Sequence, residues 1–320
     1  MYIITGGAGF IGSYMIQFLN EQGIEDILVV DRLEKGTAYK NLIGLKYIDY
    51  VDKEDFLEQV IGQDFSGDDV EAVIHMGACS ATTEMNADYL MENNYRYSQH
   101  LALWCNQHKV RYIYASSAAT YGDGAQGYSD QVDLLQFKPL NPYGFSKYAF
   151  DLWMERQGFL SNMVGLKFFN VYGPKEDHKD DMRSVVNKAF DQIKEDGLVK
   201  LFKSHKEGYE DGMQLRDFVY IKDICEVMWF FLQKKKLGGV YNLGTGQARS
   251  FKDLVTATFV ALDLEPNIEY IPMPEHLQDK YQYFTQADME KLQKAGYNKP
   301  FTALEEGVRD YVQNYLSLRP

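Results

Sequence analysis

The feature that most narrows what this chain can fold into is a glycine cluster near its start: residues 5–12 read TGGAGFIG. A short apolar run at 2–5 leads into it. Ile11, Met15, Phe18 and Leu19 then recur at helical spacing until Gly23 stops the pattern. A second apolar run, 27–30, is closed by Asp31. Gly7, Gly9 and Gly12 satisfy G-x-G-x-x-G, and Gly6, Gly9 and Gly12 satisfy G-x-x-G-x-x-G. Glycines alone prove little in a chain that holds 26 of them. Their place between a strand and a helix, with an acid ending the next strand, gives them meaning. Positions without side chains let backbone close on a pyrophosphate, whose charge rests on the free N–H groups of the helix N-terminus. The segment reads as the phosphate turn of a dinucleotide site.

Which dinucleotide is left open by the next two residues. Asp31 can accept from a ribose 2′-hydroxyl, which favours NAD, whereas Arg32 can hold a 2′-phosphate, which favours NADP. Lys53 has two readings as well: an approach to the adenine side, or a solvated lysine at a helix start.

The strand and helix rhythm continues. Asp52 can cap a helix whose apolar face is Phe56, Leu57, Val60 and Ile61, and 72–78 reads as the next strand. A helix around 94–108 buries Leu101 and Trp104, and 112–116 is another strand. Apolar strands alternating with amphipathic helices indicate an α/β fold. The sheet is parallel, doubly wound and Rossmann-type, with both faces covered. After about residue 172 the rhythm breaks at Pro174, a charged stretch (175–181), a helix and a polar loop (203–214). Apolar runs return at 218–221 and 240–243 around a helix bearing Val227, Phe230 and Phe231. Thr285 with Asp288, and Thr302 with Glu305, read as caps of two late helices, the first ending at Gly296. The expected organisation is a dinucleotide domain over 1–172 completed by 217–244. A smaller mixed α/β substrate domain takes 173–216 and 245–320.

Composition removes whole classes of partner. Acidic residues number 46 against 33 basic, a net charge of −13, so phosphate backbones and anionic membranes are repelled. Cys79, Cys105 and Cys225 lack the paired spacing of a disulfide framework or a zinc site, and no metal is expected. No apolar run reaches the roughly 20 residues that cross a bilayer, and no basic leader precedes Thr5. The expectation is a soluble cytoplasmic protein.

Tyr143 and Lys147 stand at i and i+4, with Asn141 placed to cap their helix and Pro142 at its first position. In a chain with 24 Tyr such a pair arises by accident. Its setting lends weight: Gly144 and Ser146 are small, and YASSAATYG (114–122) ends a strand, at the sheet edge where ligands bind. Removing a hydroxyl proton while a hydride leaves requires a base, and a phenol of pKa near 10 is mostly protonated at neutrality. Lowering it by about three units takes about 4 kcal/mol, which one ammonium at about 4 Å supplies at an effective dielectric of about 20. Lys147 is expected to provide that charge, and Ser117 to hold the substrate oxygen beside Tyr143.

These segments, with HMGACSATTE (75–84), NPYGFSK (141–147), FFNVYGP (168–174), RDFVY (216–220) and NLGTG (242–246), resemble the extended short-chain dehydrogenase/reductase family in order and content. GIEDILVVD, YVDKEDFL, FFNVYGPKEDHK and YFTQADMEKLQKAGYNKPF resemble its branch of epimerases that act on an ADP-linked heptose. The resemblance implies that Tyr143 and Lys179 are two acid/base groups, Lys147 the cofactor-ribose lysine and Ser117 the hydroxyl-orienting serine. It implies cofactor contacts at Gly6, Gly9, Phe10, Ile11, Gly12, Asp31, Arg32, Lys53, Met76, Gly77, Ala78, Cys79, Ser80, Asn93, Lys147, Val171 and Lys179. Asn170, Asp181, Lys188, Phe202, Lys203, Ser204, His205, Arg216 and Tyr281, with Ser117, match positions that hold the nucleotide-sugar. The usual preference of the family tips the cofactor toward NADP, and its relatives imply a homo-oligomer, possibly a pentamer.

Inversion at carbon explains a second base. A planar ketone must be served on both faces, and one Tyr serves only one. Lys203, His205, Lys206 and Arg216 form a basic stretch suited to a pyrophosphate. Three readings compete with a 6-epimerase. A 4,6-dehydratase needs proton-shuttling acids after Ser117, where Ala118 and Ala119 stand; a 4-epimerase leaves Lys179 idle; a cofactor-sensing regulator needs no Tyr143, Lys147 and Ser117. The chain departs from the family at Asp180 and Asp181, which replace small residues, at Lys188, at Ala38 and in a longer 203–216 loop.

Overall fold

A computed structural model describes residues 1–33, 36–278 and 282–319. The chain opens with β1 (Tyr2–Thr5), α1 (Phe10–Glu21), β2 (Ile27–Asp31), β3 (Asp49–Asp52), α2 (Lys53–Gly62) and β4 (Ala72–His75). α3 (Ala87–Leu90) passes through a π-helical turn, Met91–Arg96, into α4 (Tyr97–His108). β5 (Arg111–Ser117), α5 (Pro142–Arg156), β6 (Val164–Phe168), β7 (Asn170–Tyr172), α6 (Val185–Asp196) and β8 (Val199–Phe202) follow. The last part holds β9 (Leu215–Tyr220), α7 (Ile221–Gln233), β10 (Gly239–Leu243), β11 (Ala248–Ser250), α8 (Phe251–Ala261) and β12 (Ile268–Ile271). It ends with α9 (Glu275–Gln278), α10 (Glu290–Lys294) and α11 (Leu304–Asn314).

Seven parallel strands form the central sheet in the order β10-β6-β5-β4-β1-β2-β3. The chain runs outward from β1 to β3, then crosses back to β4 and runs the other way. The order therefore reverses between β1 and β4, where loops diverge and leave a crevice at the carboxyl ends. Adjacent residues of β1 enter opposite cores. Ile4 packs with Met15 and Leu19 of α1 and Val227 of α7, whereas Ile3 packs with Phe56, Leu101, Trp104 and Phe150. Period-two alternation with apolar residues on both faces is what a doubly wound sheet requires.

Several expectations need correction. The strand expected over 72–78 ends at His75, because 76–80 turns into a loop over the crevice. The stretch 217–244 divides its loyalty: β9 lies between β7 and β11 in a three-stranded sheet, while β10 pairs with β6 in the central one. Thr285 caps no helix; its N–H donates to the Leu215 carbonyl at 3.2 Å, and the helix starts only at Glu290. Thr302 is likewise claimed elsewhere. Its N–H and hydroxyl both donate to Asp223, each at 2.9 Å, and α11 begins without a side-chain cap. A buried carboxylate outcompetes a helix end whose N–H groups can reach water.

Arg111, 6% exposed at the foot of β5, donates to the carbonyls of Phe231 (3.0 Å), Leu237 (2.7 Å), Lys235 (3.3 Å) and Asn162. A cation at the C-terminal end of α7 also suits the helix dipole. Arg111→Ala strands these carbonyls and is expected to cost about 3 kcal/mol or more, seen as a lower denaturant midpoint at unchanged m-value.

Candidate active site

The glycine turn is shaped by close approach. Gly6 sits at φ +65°, and a Cβ on Gly12 would lie 2.1 Å from the Gly6 carbonyl oxygen. Gly9 is the N-cap of α1; no side chain caps that helix and no acid stands in its first turn. Its N-terminal N–H groups are thus left to an external anion. The loop is anchored by Asp31, whose Oδ2 accepts from the Ala8 N–H at 2.8 Å and whose Oδ1 accepts from the Arg32 N–H at 2.7 Å. Burial raises the Asp31 pKa, against these same hydrogen bonds.

A cavity of about 160 Å³ beside the loop is lined by Gly6, Asp31, Arg32, Lys53, Gly77, Ala78, Cys79 and Asn93. Lys53 Nζ donates to Asn93 Oδ1 at 2.7 Å, so two expected cofactor positions are bonded across its wall. Behind them lies Asn94, fully buried in the π-helical turn, which the sequence reading missed. Its Oδ1 accepts from the Cys79 N–H at 2.8 Å, and its Nδ2 donates to the Cys79 carbonyl at 3.0 Å and to Ser146 Oγ at 3.1 Å. One amide therefore clamps the 76–80 loop and reaches α5. A widened turn is a recurrent way to aim such a side chain. The only signal in sequence was an Asn at the start of an expected helix.

His75 completes the support. Thr5 Oγ1 lies 2.6 Å from His75 Nδ1, and His75 Nε2 lies 2.8 Å from Ser98 Oγ. Ser98 spends its proton on the Asn94 carbonyl at 2.6 Å, which assigns the His75 proton to Nε2 and makes Thr5 the donor to Nδ1. Burial drives the His75 pKa down to about 3, so the ring is a neutral strut between β1, β4 and α4.

A second cavity of about 390 Å³ shares Ala78 with the first. It gathers Phe10, Ile11, Met76, Ser80 and Val171 of the expected cofactor set with Ser117, Tyr143, Lys147, Lys179 and Asn170. Residues from β5, α5, β7 and the 173–184 segment thus line one cavity. Asn141 caps α5 by accepting from the Gly144 N–H at 2.7 Å. A Cβ on Gly144 would come within 2.8 Å of the Ala119 carbonyl oxygen, so glycine lets α5 close on the turn after β5.

The electrostatics differ from expectation. Burial raises the Tyr143 pKa; a hydrogen bond with Ser117 opposes it, and Cys79 adds to the rise. Lys147 is not among the groups that move the Tyr143 pKa. Its Nζ donates to the Ala115 carbonyl at 2.9 Å, and burial lowers its own pKa to about 8. Desolvation is the largest cause for both groups and penalises both charged forms.

One turn further along α5, Asp151 forms a fully buried pair with Lys167 of β6 at 2.6 Å. Tyr114 and Ser116 also donate to Asp151, at 3.0 and 2.7 Å, and Lys167 donates to Thr120 at 2.7 Å. This saturated network, also missed in the sequence, fixes β5, β6 and α5 beneath the cavity.

Lys179 is half-buried, with Nζ 5.5 Å from the centre of the Phe10 ring. Burial lowers its pKa while Glu176 opposes the shift. Arg216 is 8% exposed and stacks 5.6 Å from the Phe251 ring, which itself lines the cavity. Lys188 lies on α6 one turn beyond Ser184, a lining residue. Asp181, Phe202, Lys203, Ser204 and His205 do not line this cavity. His205 is instead bonded to Tyr283, through its N–H at 2.9 Å and Nδ1 at 2.8 Å. Tyr281 lies outside the described residues.

With this geometry in place, comparison with known proteins is specific. The model of the NAD dependent epimerase/dehydratase family matches residues 2–244. The ADP-L-glycero-D-manno-heptose-6-epimerase of Nitratidesulfovibrio vulgaris (strain DP4) is 57% identical over 318 residues, covering 99% of this chain and 98% of the relative. The crystal structure of the Helicobacter pylori enzyme of that name is 32% identical with a TM-score of 0.82, covering 99% of this chain and 96% of its own. Thermus thermophilus UDP-glucose 4-epimerase in complex with NAD is 27% identical with a TM-score of 0.77, covering 99% of each chain.

Asn94→Ala leaves the N–H and carbonyl of Cys79 without their partner in a dry site, at an expected cost of about 2–4 kcal/mol to the ordered loop. Dinucleotide retention, quantified after gel filtration and denaturation, is expected to fall about tenfold or more while circular dichroism stays unchanged.

Proposed function

The chain belongs to the NAD dependent epimerase/dehydratase family, and from that premise we propose that it interconverts ADP-D-glycero-D-manno-heptose and ADP-L-glycero-D-manno-heptose. It is an epimerase, an isomerase supplying the lipopolysaccharide inner core. The reaction is a reversible oxidation at carbon 6 through a transient 6-keto sugar, with no net redox change. The observation that carries this reading is the meeting of Ser117, Tyr143, Lys147 and Lys179 in one cavity continuous with the glycine turn.

The residues present fit a nicotinamide dinucleotide. Glycines admit the backbone closely, the start of α1 is uncapped, and the adenosine end is lined by Asp31, Arg32 and Lys53. When bound, that group takes a hydride from the sugar and gives it back. NADP is the preferred form on this chain: two cations face the ribose end, and both Asp31 oxygens already accept backbone N–H bonds.

Tyr143 takes the hydroxyl proton on one face of the sugar carbon and returns it in the reverse step. Ser117, bonded to Tyr143, donates to the same oxygen and holds it in line. Lys147 orients the ribose and stays cationic only below about pH 8. Lys179, reaching in from the 173–184 segment, serves the ketone from the other side. Its half-buried site lowers the cost of shedding a proton. Ala118 and Ala119 offer no proton relay, which speaks against dehydration.

Tyr143→Phe and Lys179→Met are each expected to lower epimerisation by about 10²-fold or more without loss of bound nucleotide. Deuterium at carbon 6 is expected to stay in the product. Washout to solvent, or full activity in the double variant, would sink the assignment. Because burial holds Tyr143 protonated, single-turnover oxidation is expected to quicken as pH rises through neutrality, and a falling rate would assign Tyr143 the opposite role. Mass analysis of the nucleotide released on denaturation is expected to give NADP; NAD alone would refute that preference.

A further inference from the structure

Asn41 sits in a 3-10 turn (Ala38–Leu42) remote in sequence from both reacting loops, yet it touches both. Its Nδ2 lies 2.9 Å from the Ala8 carbonyl in the glycine loop, 3.1 Å from the Lys175 carbonyl and 3.0 Å from His178 Nδ1. Two carbonyl acceptors around one amide nitrogen assign it as the NH₂ end. The tie is reciprocal: Lys175 Nζ donates to the main-chain carbonyl of Asn41 at 2.8 Å. The Ala8 peptide is thereby gripped at both ends, its N–H by Asp31 and its carbonyl by Asn41.

The segment on the other side needs such a tie. Lys175 (φ +77°) and Asp180 (φ +45°) flank Lys179 in left-handed backbone that non-glycine residues adopt only when surroundings impose it. Glu176 fastens the segment to Ser184 through two bonds of 2.6 Å, but Ser184 belongs to the same stretch of chain. Asn41 ties it to the glycine loop, and Lys179 then reaches the ring of Phe10, the first residue after that loop.

We propose that Asn41 is a positioning residue for Lys179: it locks the 175–178 backbone to the Ala8 carbonyl, so that the second acid/base is placed relative to the dinucleotide rather than relative to its own loop. This rests on the two-base reading above. A structural staple would slow the reaction of both epimers alike; a positioning role slows the one that Lys179 serves.

The experiment follows reduction of the bound nucleotide in a single turnover with each epimer separately, by nicotinamide absorbance, in wild type, Asn41→Leu, Lys175→Met and Lys179→Met. Lys175→Met removes the reciprocal bond to the Asn41 main-chain carbonyl, so it loosens the same junction from the other side and stands in if Asn41→Leu does not fold. Both tie variants are expected to keep the nucleotide and to lose about tenfold or more with one epimer, changing less than about twofold with the other. The slowed epimer must be the one slowed in Lys179→Met. Equal losses with both epimers, no loss, or loss of nucleotide overturns the inference while the two-base reading stands. If Lys179→Met itself slows both epimers alike, that reading fails and this inference with it.

Discussion

Asn94 accepts from the N–H of Cys79 and donates to its carbonyl, and through that one residue the loop after β4 is held against α5. Regular structure ends before the chemistry begins: β1 stops at Thr5, β4 at His75 and β5 at Ser117. Beyond those points the backbone has no ladder to satisfy it, and buried polar groups must find partners among side chains. Asp31 supplies them to Ala8, Asn94 to Cys79 and Asn41 to Ala8 and Lys175. Two amides and one carboxylate thus hold the loops of the site.

The electrostatic design follows from the same dryness. Tyr143, Lys147 and Lys179 all have their charged forms penalised by burial. For the two lysines this eases loss of a proton, whereas for Tyr143 it favours the protonated phenol. Beneath them the charges that stay fixed are saturated instead: Asp151 takes Lys167, Tyr114 and Ser116, and holds the strand and helix that carry Ser117 and Lys147. Charge that must move is left loosely partnered, and charge that must not is enclosed.

Fold legibility was uneven for a physical reason. The doubly wound sheet showed in period-two apolar runs and helical periodicity, because each strand buries both faces and each helix one. The glycine turn and the Tyr143–Lys147 pair were visible because their chemistry fixes residue type and local spacing. The caps at Thr285 and Thr302 misled, since both motifs are local while the competing partners, Leu215 and Asp223, lie 70 or more residues away. Asn94 and Asn41 were invisible for the same reason. An Asn in a helix or a turn carries no pattern of its own until the fold shows what it faces.

Sequence alone determined the architecture, the class of cofactor and the candidate reacting side chains, because burial periodicity and bond-making chemistry are written in residue types a few positions apart. Tertiary structure decided the rest: that Lys147 donates to the Ala115 carbonyl, that burial raises the Tyr143 pKa, that β9 joins the small sheet, and that the segment bearing Lys179 is tied through Asn41 to Ala8. These depend on distance and desolvation between segments far apart in the chain. Such quantities exist only once the backbone has closed on itself.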